Sequence, residues 1–208
     1  MARTHATHAQ REHVRNQIRA AAADIFKSKG LAGISVRSIA SEAGVSVGTV
    51  YSYFGNLQDL MQSLWKEPIA RFEQTLDTIA GKNPDPLDRL QALMKSYLAF
   101  GLKNPDLYRG AFLFIRPETF ETPEREKLTS ARFAQLIVNA IVEGQASGAI
   151  SSGRPAELAQ LLWSGLHGVL ALPTNLDRIA FKSPKGVGNT MIDAMINHLS
   201  ATPQKRGA

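Results

Sequence analysis

Apolar positions recur at intervals of three and four along most of this chain, the spacing that lines one face of a helix. Val14, Ile18, Ala21, Ala22, Ile25 and Phe26 stripe a helix over 11–29, which Gly30 stops. Residues 1–9 ahead of it carry no apolar period and are expected to form a disordered arm. Two short helices follow. Ser35 can cap the first, Val36, Ile39 and Ala40 share one face, and Gly44 ends it because glycine enters the left-handed conformation at no steric cost. Ser46 can cap the second, over 47–54, whose Val50 points back at the first. A small residue before the turn glycine and a β-branched peg after it are what two helices crossing steeply through a tight turn require.

A fourth helix is predicted from Asn56, with Asp59 placed to answer the cap, to about residue 80, with Pro68 as a kink or an interruption. Its Leu57, Leu60, Met61, Leu64 and Trp65 are expected to cover the junction between the front of the chain and the rest. The run GKNPDP at 81–86 is a breaker. Beyond it the pattern is helical throughout. Leu87, Leu90, Leu93, Met94, Tyr97 and Leu98 stripe one helix to Lys103, and Asn104-Pro105 breaks it. A short apolar helix over 107–115 carries Tyr108, Phe112 and Phe114, and Arg116-Pro117 ends it. Thr122-Pro123-Glu124 reads as a helix start, and Phe133, Leu136, Ile137, Ala140 and Ile141 carry that helix to about residue 147.

Two helices, 155–172 and 184–200, close the pattern, and 201–208 is a polar tail. The first carries Leu158, Leu161, Leu162, Leu166, Val169 and Leu170, with Ser164, Gly165 and Gly168 among them, and is apolar on more than one face. Such a helix must be covered on two sides. One cover is its own core. The other is expected to be a second subunit packed on 155–172 and 184–200; a helix central to a monomer is the competing reading.

At 208 residues, without cysteine, the chain is long enough for a proper core and has no disulfide framework or thiolate chemistry. No apolar run approaches the roughly 18 residues a membrane span needs, and the arginines near the N-terminus precede no apolar stretch, so a cytoplasmic location and no membrane partner are expected. The net charge of +6 points to a polyanionic partner, and half of it falls within residues 1–60, where seven basic residues face four acidic ones.

Candidate chemistry concentrates in two places. The helix over 47–54 offers Val47, Gly48, Thr49, Ser52 and Tyr53 outward. Glycine and short polar side chains let a helix sit deep in a DNA major groove, and aromatic hydroxyls can reach phosphates. Such a face serves stability poorly, which argues against two merely packed helices. Arg15 and Arg19, one turn apart, suit either phosphate contacts or a solvated face. No acid–base pair, phosphate-cradling glycine loop or metal-ligand spacing is present. His5 and His8, without a carboxylate, make a poor metal site, so no cofactor or metal is expected. In the second place, Trp163 and His167 lie one turn apart in the run WSGLHG, fit for a ligand cavity, a dimer seam, or a satisfied core histidine behind a tryptophan.

The runs AAADIFKSKG (21–30), SIASEAGVS (38–46) and GTVYSYFGNLQDL (48–60) together resemble the N-terminal domain of the TetR family of transcriptional regulators. Leu57 stands where that family usually has lysine, so one backbone phosphate contact is missing. The WSGLHG run resembles the Trp-His-Gly signature of one class of TetR-family C-terminal domains. The resemblance implies an all-α protein: a helix-turn-helix DNA-binding domain over 10–55 and a helical ligand-binding and dimerisation domain over 56–200. It implies a ligand-responsive repressor, not an enzyme. A homodimer would bind a palindromic operator, with its recognition helices about 34–36 Å apart. Ser35, Arg37, Ser46, Val47, Gly48, Thr49, Tyr51, Ser52 and Tyr53 are the DNA-binding candidates. Met94, Tyr97, Phe112, Phe114, Arg116, Trp163 and His167 are the candidates for lining a cavity for a small-molecule effector. A small-molecule-binding helical protein with a vestigial DNA-binding head is the alternative.

Overall fold

Capping side chains open the first five helices of the computed structural model of this chain, which describes residues 7–30, 33–112, 130–176 and 178–201 and, of 111–112, the backbone alone. Thr7 accepts the amide of Gln10 while the Gln10 side chain accepts the amide of Thr7, so α1 (His8–Lys29) starts ahead of its apolar stripe. The expected disordered arm over 1–9 is corrected accordingly: His8 and Ala9 are helical, and 1–6 lie outside the described residues. Ser35 and Ser38 cap each other's amides at the start of α2 (Val36–Glu42). Gly44 then turns the chain at φ +64°, and the Val45 amide donates to Ala40 O at 2.9 Å. Ser46 accepts the Thr49 amide and opens α3 (Val47–Phe54). Asn56 and Asp59 exchange bonds at the start of α4 (Leu57–Lys82), which continues as one helix through Pro68.

The remaining helices are α5 (Pro86–Lys103), capped by Asp85, α6 (Pro105–Phe112), α7 (Arg132–Ser147), α8 (Pro155–Asn175) and α9 (Pro184–Leu199). The helix predicted from Thr122 begins instead at Arg132, where Phe133 and Ala134 become the first buried residues; Thr122 lies outside the described residues. Helix α8 runs three residues past the predicted end and holds Pro173 in its last turn, at the cost of the one amide that the Val169 carbonyl would otherwise accept. At the end of α9, the Ser151 amide donates to Leu199 O and the Ala201 amide to Ala149 O, so the expected polar tail is tied down at its first residue.

Two compact units result, one holding the described residues through Ile69 and the other those from Ala70 onward, with α4 contributing to both. In the first, Ile18, Ala22, Ile25 and Phe26 of α1 close over Ile39 and Ala40, Val50 and Phe54, and Leu60, Met61 and Leu64. In the second, Leu90, Leu93, Met94 and Tyr97 of α5 pack with Ile137 and Ile141 of α7, Leu162 and Leu166 of α8, and Ile192 of α9. Each fully buried side chain of this size is worth about 1.5–3 kcal/mol, far more than the surface ion pairs Arg89–Glu143 and Arg132–Asp77. Among the described residues no helix is long and apolar enough to cross a membrane.

Candidate nucleic-acid interface and effector site

Val50 and Phe54 anchor α3 by its inner face, at 2% and 5% exposure. Helical geometry then turns Val47, Gly48, Tyr51 and Ser52 outward, and all four are exposed; Thr49 is half-buried. Helix α3 has no charged side chain, so whatever it reads by polar contact it reads with hydroxyls and main chain. The Ser46 hydroxyl is within 2.8 Å of that of Thr49, and Ser52 donates to Thr49 O at 2.7 Å. Ser35 is likewise occupied as the cap of α2, while Arg37, the second residue of that helix, is exposed. Tyr53 packs partly against the core of this unit. Leu57, the departure from the family pattern, also packs against that core, which accounts for an apolar residue there.

Arg15 and Arg19 have a different place from either expectation. Arg15 donates to Tyr53 O at 3.0 Å with its guanidinium over the Phe54 ring, and Arg19 donates to Ser63 O at 2.8 Å. Both are half-buried.

In the second unit, three of the effector candidates come together, Tyr97 on α5 and Trp163 and His167 on α8, while Met94 is buried in the same core. Tyr97 Oη lies 3.2 Å from His167 Nε2, and Tyr108 Oη is hydrogen-bonded to His167 Nδ1. Rings of Tyr97, Trp163 and Phe133 pack edge-on or tilted at centroid distances of 4.4–6.3 Å. Burial holds both phenols above their ordinary range and the imidazole below its own. The result is a group of hydrogen-bonding heads kept uncharged at neutral pH inside an apolar, aromatic surround. Phe114 and Arg116 lie outside the described residues, as does the side chain of Phe112. Tyr108 and Phe133 were not among the candidates. Tyr108, an aromatic hydroxyl on a short helix, was the available signal. Among the described residues no group of three or more His, Cys, Asp or Glu is placed to hold a metal.

The two glycines of α8 have different surroundings. A methyl on Gly165 would lie 2.8 Å from Met191 Sδ and 2.9 Å from Met195 Cε, so that glycine admits α9 of the same chain. Gly168 faces open space. Apolar surface along α8 and α9 stays uncovered: Leu161, Leu172 and Val187 are 54%, 48% and 46% exposed. Two apolar grooves of about 230 and 280 Å³ run along α8 and α9, the first lined by Gly168, Leu172, Phe181 and Val187, the second by Leu161, Met191 and Met195.

Known proteins resemble this chain over both of its units. The family model described as bacterial regulatory proteins, tetR family, matches residues 18–64, and that of the tetracyclin repressor-like C-terminal domain matches 90–196. The fatty acid metabolism regulator protein of Bacillus subtilis is 25% identical over 149 residues, covering 72% of this chain and 77% of that protein. The transcriptional repressor KstR of Mycobacterium tuberculosis is 29% identical over 135 residues, 63% of this chain and 61% of its own. Among solved structures, the transcriptional regulator FadR from Bacillus subtilis in complex with stearoyl-CoA superposes with a TM-score of 0.72 at 20% identity, over 88% of this chain and 98% of that one. With a helix-turn-helix at its front and more than half of its 208 residues matched by the C-terminal family model, the chain belongs to the TetR family of transcriptional regulators.

Proposed function

We propose that this protein is a repressor that binds an inverted-repeat operator as a homodimer and releases it when a long apolar effector occupies its C-terminal domain. The observation that carries the reading is the open face of α3, where Val47, Gly48, Tyr51 and Ser52 are exposed and Thr49 is half-buried beside them. Val47 and Gly48 let the helix approach base edges, while Arg37, Thr49, Tyr51 and Tyr53 hold phosphates or bases, with the caps Ser35 and Ser46 beside them. The uncovered apolar surface of α8 and α9 supports a second copy as its cover, since exposed patches of this kind mark interaction sites. Two-fold pairing makes the preferred DNA site palindromic. The aromatic group around Tyr97, Trp163 and His167 suits an apolar effector with a polar, uncharged acceptor, and relatives include a fatty acid metabolism regulator and a structure holding stearoyl-CoA.

Selection of duplexes from a random-sequence pool tests the operator claim. Enrichment of an inverted repeat with half-sites one helical turn or a multiple apart is expected; failure to enrich any sequence contradicts it. Stearoyl-CoA added to the recovered complex is expected to weaken DNA binding at least fivefold, within the 5–150-fold span of ordinary allosteric coupling. An unchanged affinity removes long-chain acyl thioesters as the effector class.

A further inference from the structure

Helix α1 reaches the main chain of each of the three helices after it through a side chain that donates to a carbonyl. Gln17 Nε2 donates to Ala43 O, the C-cap of α2, at 2.8 Å. Arg15 Nη1 donates to Tyr53 O in the last turn of α3 at 3.0 Å, and its guanidinium carbon lies 4.6 Å from the centre of the Phe54 ring. Arg19 Nη2 donates to Ser63 O of α4 at 2.8 Å. The first two acceptors lie at helix ends, where carbonyls fall short of hydrogen bonds, and Ser63 lies in the turn before Pro68 of α4. Carbonyls in a last turn have no helical partner, and Pro68 has no amide to give the carbonyl of Leu64, next to Ser63. A cation at the end of α3 is also favoured by the helix dipole.

We propose that Arg15 is a positioning residue for DNA binding, with Arg19 as its counterpart on α4: α1 seats the recognition helix through these guanidinium groups, which do not themselves touch DNA. The inference rests on α3 being the element that reads DNA. Arg15 sets the far end of α3 in two ways at once, by a main-chain bond and by a ring face. A planar guanidinium can make both, and a lysine ammonium cannot reproduce the pair. Base-edge hydrogen bonds depend on the seat of α3, so its loosening weakens DNA binding without removing any charge from the interface.

The test uses the full chain, the duplex recovered by selection, and fluorescence anisotropy across a series of KCl concentrations. Arg15→Lys is expected to weaken binding about tenfold at every salt concentration, with the slope of log Kd on log [KCl] unchanged. Arg19→Lys is expected to weaken it about threefold. A phosphate role predicts the reverse. Arg15→Lys would then stay within about twofold of wild type, and Arg15→Ala would lower the slope by about 0.9 for each phosphate that a protomer no longer neutralises. Either result overturns the inference. So does an Arg15→Lys chain that circular dichroism finds unfolded at 25 °C, because the proposal concerns placement and not the integrity of the unit. If wild type enriches no duplex, the DNA-binding reading falls first; if wild type binds and Arg15→Lys binds as tightly, only this inference falls.

Discussion

Tyr51 stands 48% exposed on α3, so its hydroxyl contributes little to folding. Tyr51→Phe should leave the thermal midpoint within the scatter of an ordinary surface change, about 0.5 kcal/mol. It should weaken binding to the selected duplex about fivefold, the loss of one hydrogen bond of about 1 kcal/mol. His167 carries a second expectation. Burial lowers its pKa from the ordinary 6.5, so the unfolded chain takes up a proton there before the folded one does. The stability tied to this group is fully present above about pH 6.5 and is lost as pH falls toward the lower folded value. Thermal midpoints measured from pH 7.5 to 5.5 should fall, and the fall should be shallower in His167→Gln; an equal fall in both would contradict the assignment. At this scale the sequence disclosed what short-range spacing determines: Ala40, Gly44 and Val50 are where the pattern put them. Arg15, paired 38 residues away, and Tyr108, paired 59 away, were not legible as partners, because helical spacing carries no information about which distant element a side chain will meet.

Among the elements, the turn between α2 and α3 is the most constrained. Gly44 adopts φ +64° with open space around its Cα, so Gly44→Ala meets no clash and only the backbone cost of the left-handed region. A loss of about 1 kcal/mol is expected, read as a drop in the thermal midpoint. The α8–α9 surface makes a different prediction. Leu161→Glu combined with Val187→Glu places charges on two half-exposed positions. Sedimentation velocity should find the wild type dimeric and the double variant monomeric, with helical content retained. A wild type that sediments as a monomer would contradict the expected pairing. The helix types and their order followed from periodicity, whereas their ends did not. The Thr7–Gln10 capping box extends α1 beyond its apolar stripe, and α4 continues through Pro68 because the packing of Leu60, Leu64, Phe72 and Leu76 on either side outweighs one lost bond. The two-faced character of α8 was readable from its leucines. That Gly165 would be taken by Met191 and Met195 of the same chain was not, since it depends on where α9 lies.

For the molecule as a whole, one unit turns the exposed face of α3 outward, the other holds the Tyr97, Tyr108 and His167 heads against its aromatic core, and α4 contributes to both. An effector alters DNA affinity only by as much as it distinguishes two states of the protein. The direct measurement is an equilibrium titration of the selected duplex with wild type and with the Thr49→Ala, Tyr51→Phe double variant, with the mass of the saturated complex read by native mass spectrometry. Two chains, or a multiple of two, per inverted repeat and at least a tenfold loss of affinity in the double variant are predicted. One chain per duplex, or equal affinities, would contradict the account.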